Sequence, residues 1–209
     1  MKQILRNMSL VMVAMTLVFS SCEDDLDGSG NVNGHDYVDL GLPSGLKWAT
    51  CNVGATTPED NGNYYAWGET TTKTVYSQEN SVTFGQEIGD ISGNANYDAA
   101  TANWGGSWRM PTNAEMDELV NNCTWTWTTQ NGVNGYRVLG TNGNSIFLPA
   151  AGYCSGSSRN GVGEISLYWS STPEGSNTYE AYGLLLGIGR HLLFWYDRSR
   201  GHTVRPVSE

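Results

Sequence analysis

Apolar and polar positions alternate along this chain in short bursts whose period changes from place to place. Leu10 to Phe19 is an apolar run behind Lys2 and Arg6 and ahead of small Ser20 and Ser21. Tyr37 to Leu40 and Leu46 to Cys51 flank a Pro43-Ser44-Gly45 turn and predict two short strands; Tyr64 to Trp67 predicts a third. Thr70 to Asn96 is irregular and polar, the pattern of a long surface excursion, and Asp98 to Ala102 predicts one or two helical turns. At Thr112 the period lengthens. Thr112 and Glu115 form a capping box, Met116, Leu119 and Val120 fall at i, i+3 and i+4, and Asn121-Asn122 suits a C-terminal cap, so a helix is predicted over 113–121. Arg137 to Leu139 and Ser145 to Leu148 flank Asn142-Gly143, a turn pair that joins antiparallel strands. Further strands are predicted at 168–171, 180–186, 191–195 and 203–207. No repeat of 20 to 50 residues is visible, which argues against solenoids and propellers.

The first burst is too short for the roughly 18 to 20 residues that span a bilayer as a helix. With its basic start and small-residue end it has the layout of a secretory signal over residues 1–21. Ser20-Ser21-Cys22 resembles the lipobox of bacterial lipoproteins, which implies that Cys22 becomes the lipidated N-terminus. The competing reading is an ordinary signal peptide with a coincidental cysteine. Each buried methylene contributes about 0.8 kcal/mol, so two or three palmitate-class chains anchor where one does not. Glu23, Asp24 and Asp25 follow. This acidic cluster resembles the surface-export signal of Bacteroidetes lipoproteins, which implies an outer-membrane protein facing the exterior; a solvated charge run is the alternative. Residues 22–34, acidic and rich in Gly and Asn, read as a tether, with a folded domain over 35–209.

Composition narrows the partners. Eleven basic against 21 acidic residues give a formal charge of −10, more negative still once Lys2 and Arg6 leave with the signal. Such a balance repels phosphate backbones, so nucleic acid is not an expected partner. The 26 Gly, 8 Trp and 11 Tyr point to a loop-rich fold with an aromatic core, and disordered chains lack aromatics on this scale. An oxidising envelope permits one disulfide among Cys51, Cys123 and Cys154. Three pairings are open; Cys51 with Cys123 is favoured because both adjoin predicted core elements.

Several motifs then occur in order: Tyr37-Val38-Asp39-Leu40-Gly41-Leu42-Pro43-Ser44-Gly45, Trp48-Ala49-Thr50-Cys51-Asn52-Val53-Gly54-Ala55, Tyr65-Ala66-Trp67-Gly68-Glu69, Trp104-Gly105-Gly106-Ser107-Trp108-Arg109-Met110-Pro111-Thr112, Leu148-Pro149-Ala150-Ala151-Gly152, Tyr168-Trp169-Ser170-Ser171-Thr172 and Val204-Arg205-Pro206-Val207. Together they resemble the Fibrobacter succinogenes major paralogous domain, a family common in Bacteroidetes lipoproteins. The Arg-Met-Pro-Thr-x-x-Glu helix start and the closing Val-Arg-Pro-Val strand are more distantly similar to C-type lectin-like and formylglycine-generating-enzyme folds. The resemblance implies an α+β domain of C-type lectin-like form, with a twisted antiparallel sheet, two short helices and long loops. Fold by itself does not give function.

Chemistry is sparse. His35, His191 and His202 share no ligand spacing, no Cys-x-x-Cys exists, and the calcium- and sugar-binding sequences of C-type lectins are missing. Glu59, Asp60, Glu69 and Asp90 are the carboxylates a calcium loop would draw on, but most acidic residues merely solvate a surface, and that is the favoured reading of them. Neither a metal nor a cofactor is expected. The formylglycine-generating enzyme works through a late cysteine pair, whereas Cys154 stands alone, and no serine sits in a nucleophile elbow. The chain is therefore not expected to be an enzyme; a formylglycine-generating-type oxidase ranks last. Binding or adhesion remains, because Tyr and Trp offer rigid faces for sugar rings or protein hot spots. Trp48, Trp67, Trp108 and Trp169 lie in strand-like motifs and are core candidates. Tyr153, Arg159, Arg190, Trp195 and Asp197 lie in the late region where C-type lectin-like folds display ligand loops, and are the expected contacts. Trp125 and Trp127 on an exposed strand form a second candidate patch. The expected function is a membrane-anchored domain that binds a glycan or protein ligand, with a structural subunit of an envelope or fimbrial assembly as the alternative. Mass spectrometry of the protein from envelope membranes should show residues 1–21 removed and acyl chains on Cys22; an unmodified sulfur there would overturn the anchor.

Overall fold

The computed structural model describes residues 28–209; the expected signal segment, Cys22 and the first part of the expected tether, up to residue 27, lie outside the described residues. In chain order the elements are β1 (Ser29–Val32), β2 (His35–Asp39), β3 (Lys47–Ala49), α1 (Ala99–Trp104), α2 (Asn113–Asn122), β4 (Thr124–Gln130), β5 (Val133–Leu139), β6 (Ser145–Pro149), β7 (Tyr153–Ser155), β8 (Ser158–Asn160), β9 (Ile165–Pro173), β10 (Glu180–Gly187), β11 (Arg190–Asp197) and β12 (Val207–Ser208). Strands hydrogen-bond in the orders β1-β2-β3-β12, β11-β10-β9 and β4-β5-β6, with β7 and β8 as a separate hairpin. Every pairing of named strands is antiparallel, and with the two helices this is an α+β architecture.

Local chemistry explains both helices. The Asp98 carboxylate accepts Ala100 N at 2.8 Å and Thr101 N at 3.0 Å, capping α1, while its second oxygen accepts Gly93 N and Met110 N, each at 2.8 Å. One buried side chain thus starts a helix and ties down the chain on both sides of it. At α2, Thr112 Oγ1 accepts Glu115 N at 3.3 Å and Glu115 accepts Thr112 N at 2.8 Å, the reciprocal pair read from the sequence. Arg109 adds a two-pronged bond to the same carboxylate at 2.7 and 2.8 Å. Burial opposes the charge on Glu115, yet the bonds from Arg109 and Thr112 outweigh it and hold the carboxyl below the ordinary glutamate range.

Met116 and Leu119 turn inward, and α2 packs across β9, β10 and β11. Beneath it Tyr168, Leu184 and Leu186 meet Tyr136, Val138, Ile146 and Leu148 of the β4-β5-β6 sheet, with Leu40, Trp48 and Val207 closing the core. A second core lies on the far side of β9. There Trp67, Trp104, Trp108 and Trp169 pack with Ile91, Met110 and Val204. Trp67, Trp108 and Trp169 each find a carbonyl for the indole N–H: Ser170 at 3.0 Å, Val32 at 2.8 Å and Tyr65 at 2.8 Å. The four tryptophans 48, 67, 108 and 169 are buried core residues.

The strand expectations need correction at several points. Residues 29–32 belong to the fold rather than to the tether expected over 22–34: β1 pairs with β2 through a tight turn in which Asn33 and Gly34 take positive φ, so the ordered fold begins before His35. Gly-Asn strands carry no burial pattern, since the ladder rather than a core face holds them. Tyr64 to Trp67 is not a strand; a single bridge from Tyr65 to His202 remains, and the aromatics are buried by packing. The expected strand over 203–207 reduces to Val207–Ser208. The excursion over 70–96 contains one turn of 3-10 helix, at Gln78–Asn80, and is pinned by buried Thr83 and Ile91. Cys51, Cys123 and Cys154 are all free thiols, so the pairing of Cys51 with Cys123 is not formed: Cys51 sits beside the second core and Cys123 against the first.

Arg205 is 1 % exposed. Its guanidinium donates to Asn52 Oδ1 at 2.8 Å and to the carbonyls of Ala49 at 2.9 Å, Thr50 at 2.8 Å and Phe147 at 2.9 Å. Each acceptor stranded in the interior costs about 1–3 kcal/mol, against a total stability of about 5–15 kcal/mol. Arg205→Met should therefore lower the thermal midpoint by roughly 10 °C or more. Arg205→Lys should fail to restore it, because an ammonium cannot match the planar fork. Calorimetry of the variants checks this, and a midpoint unchanged in both would refute it.

Candidate functional site

The β11-β10-β9 sheet has one face on the first core and one facing outward. Cross-strand register puts Leu167, Leu185 and Leu192 in one row of the outer face, Ile165, Gly187 and Arg190 in the next, and Trp169, Gly183 and Phe194 in a third. Trp169 is roofed by Tyr65 and the second core, while the leucine row is not. A concavity of about 650 Å³ results, floored by Ile165, Leu167, Leu185, Leu192 and Phe194 and walled by Tyr153, Tyr196, Arg200 and His202. Gly183 is required beside it, since a Cβ there would stand 2.6 Å from the Tyr168 carbonyl oxygen. Phe194 and Trp195 stack at 4.4 Å and are both more than 40 % exposed.

The polar groups of the wall differ in availability. Asp197 is already engaged: one oxygen accepts Ser199 N at 2.9 Å and Ser199 Oγ at 2.6 Å, the other accepts Gln78 Nε2 at 2.7 Å. Glu180 accepts Asn177 Nδ2 at 2.7 Å, and Arg200 donates to Ser155 Oγ. Arg190 is exposed at the mouth. His202 is fully buried, stacked on Trp169 at 3.8 Å with the edge of Tyr196 at 5.2 Å, and neither ring nitrogen has a hydrogen-bond partner. Burial first, and the positive charge of Arg200 second, hold its pKa well below the ordinary histidine value, so the ring is neutral and offers one donor and one acceptor.

Four of the five expected contact residues, Tyr153, Arg190, Trp195 and Asp197, line this one concavity. Arg159 does not. It lies on the β7-β8 hairpin with its guanidinium 4.7 Å over the Tyr64 ring, in a separate depression with Lys73, Tyr76 and Cys154. Trp125 and Trp127 are half-buried rather than a surface patch. Both set their rings against the edge of Tyr136, and Trp125 also stacks on His191 at 4.8 Å. The reading of the sequence missed His202, Arg200 and the apolar floor. Alternation along 190–196 marks Leu192 and Phe194 as neighbours of Arg190, whereas nothing local to His202 signals its burial.

The two carboxylates of the site are satisfied, and Cys154 lies outside it, with burial raising its thiol pKa. Among the described residues no group of three or more His, Cys, Asp or Glu is arranged to hold a metal ion.

Neutral His202 makes stability depend on pH with a definite sign. An unfolded histidine gains its proton near pH 6.5 and the buried ring resists it, so the contribution is complete above 6.5 and is lost as pH falls below it. Urea midpoints from pH 7.5 to 5.0 should decline in the wild type and decline less in His202→Phe. A shallower slope should remain in the variant, because burial also lowers His35 and His191. Equal slopes would contradict the burial of a neutral ring. No family model, no curated protein and no solved structure matches this chain.

Proposed function

We propose that this chain is an outer-membrane lipoprotein, anchored through Cys22 and facing the exterior, whose folded region binds a glycan or protein ligand without chemistry. The C-type lectin-like form suggested by the motif order belongs to the same proposal. One observation carries it: an aromatic and aliphatic concavity of about 650 Å³ whose lining includes the exposed Phe194 and Trp195. An open apolar seat with exposed aromatic side chains on its lining is the kind of surface that supports ligand binding.

The seat is also preformed. Its floor residues stand on three hydrogen-bonded strands and its wall is fixed by the Arg200 and Asp197 bonds, so little ordering entropy opposes binding. Exposed aromatics at the centre of such a site act as anchors. Phe194→Ala and Trp195→Ala should each weaken binding to immobilised glycan and host-matrix protein panels by about 30-fold, the scale of a 2 kcal/mol hot spot, with unchanged thermal midpoints. Binding that survives both substitutions would move the site elsewhere. Turnover of any substrate by the purified chain would end the non-catalytic reading.

A further inference from the structure

β11 is the edge strand of the sheet beside the concavity. Trp169 N bonds to Thr203 O at 3.0 Å, and Thr203 N bonds to Leu167 O at 3.2 Å, so the backbone groups of Leu167 and Trp169 point away from β10. Alternation then turns Gly183, Leu185 and Gly187 toward β11, and Arg190, Leu192, Phe194 and Tyr196 toward β10. His191, Leu193 and Trp195 therefore direct their N–H and C=O groups outward, and no described residue bonds them. Folded proteins protect such an edge with lysine, proline or a bulge. The six residues from His191 to Tyr196 contain no charge and no proline, and β11 pairs with β10 without a register shift.

We infer, resting on the concavity as the ligand site, that its occupant is an extended segment of another protein that adds as a strand beside β11 and seats apolar side chains over Leu192 and Phe194. Three observations favour this occupant. The unpaired groups at His191, Leu193 and Trp195 repeat at the two-residue spacing a polypeptide backbone satisfies, and a sugar chain does not supply. The floor of Ile165, Leu167, Leu185 and Leu192 offers no partner to hydroxyl groups, and the two carboxylates of the wall are already bonded. A net charge of −10 opposes a second copy of this chain and favours a neutral or basic segment.

The test uses the full chain in mild detergent, panned against a phage-displayed library of random dodecapeptides and, in parallel, a neutral-glycan array. Enriched peptides should alternate apolar residues. Synthetic copies N-methylated at alternate backbone nitrogens should lose at least 10-fold in affinity in one parity and little in the other, because only one parity faces β11. Phe194→Ser should also cost at least 10-fold. If peptides bind but both N-methyl parities behave alike, strand addition is wrong. If only glycans bind, and Phe194→Ser abolishes that binding, strand addition falls while the concavity stands as the ligand site. If neither probe binds, the inference is overturned and the concavity loses its support as well.

Discussion

Arg205 and Arg198 place two guanidinium groups in the interior with no carboxylate bonded to either, and the rest of the architecture is arranged to satisfy them. Arg205 gathers oxygens from β3, the segment after it and β6 onto the chain just before β12. Arg198 donates to the carbonyls of Glu180 at 3.0 Å and Gln86 at 3.0 Å, with its plane 4.3 Å over Trp67. A buried cation stripped of water is costly unless every proton finds an oxygen, so these segments cannot drift apart independently. That requirement explains how a chain with long irregular stretches holds one arrangement: the loops supply carbonyls, and the two late arginines collect them.

The same constraint shapes the outer face of the β9 to β11 sheet. Arg198 fixes the chain leaving β11 against the 83–86 loop and Trp67, and that assembly roofs Trp169. Its cover stops at the third row of the sheet. Beyond it the leucine row remains open and His202 remains inside the wall, at the boundary between a finished core and an unfilled one. A filled core and an open face thus meet at a single line across β9, with tryptophan packing on one side and an apolar seat on the other.

Rigid placement is consistent with the binding role proposed above. An apolar seat on a hydrogen-bonded sheet gains affinity from desolvation without ordering new backbone, and the open edge of β11 adds direction, since strand pairing has a register. Acidic character elsewhere on the surface discourages self-association through that edge.

Helix α2 was legible because its determinants are local: Thr112, Glu115 and the Met116-Leu119-Val120 stripe lie within three turns of one another. The same holds for the hairpin around Asn142-Gly143, where Gly143 adopts the positive φ the turn needs, and for the alternating residues of β10 and β11. The clustering of Tyr153, Arg190, Trp195 and Asp197 was anticipated from their late position in a resembled fold, not from any spacing between them. Strand β1 was hidden, since an edge of Gly and Asn is held by its neighbour's backbone and not by its own side chains. Arg159 is not with those four contact residues because the β7-β8 hairpin pairs it with Cys154, and strand alternation turns that pair to the face opposite Tyr153 and Asn160. His202 is buried by contacts with Trp169 and Tyr65, far from it in sequence, and the leucine floor and the free state of Cys51 and Cys123 likewise follow from packing rather than from any local pattern. Composition and periodicity by themselves determined the acidic character, the aromatic core, helix α2 and the strands with local patterns such as β10 and β11; which face of the sheet stayed open was decided only when the buried arginines drew distant carbonyls together, because burial is a property of the packed chain and not of any one segment.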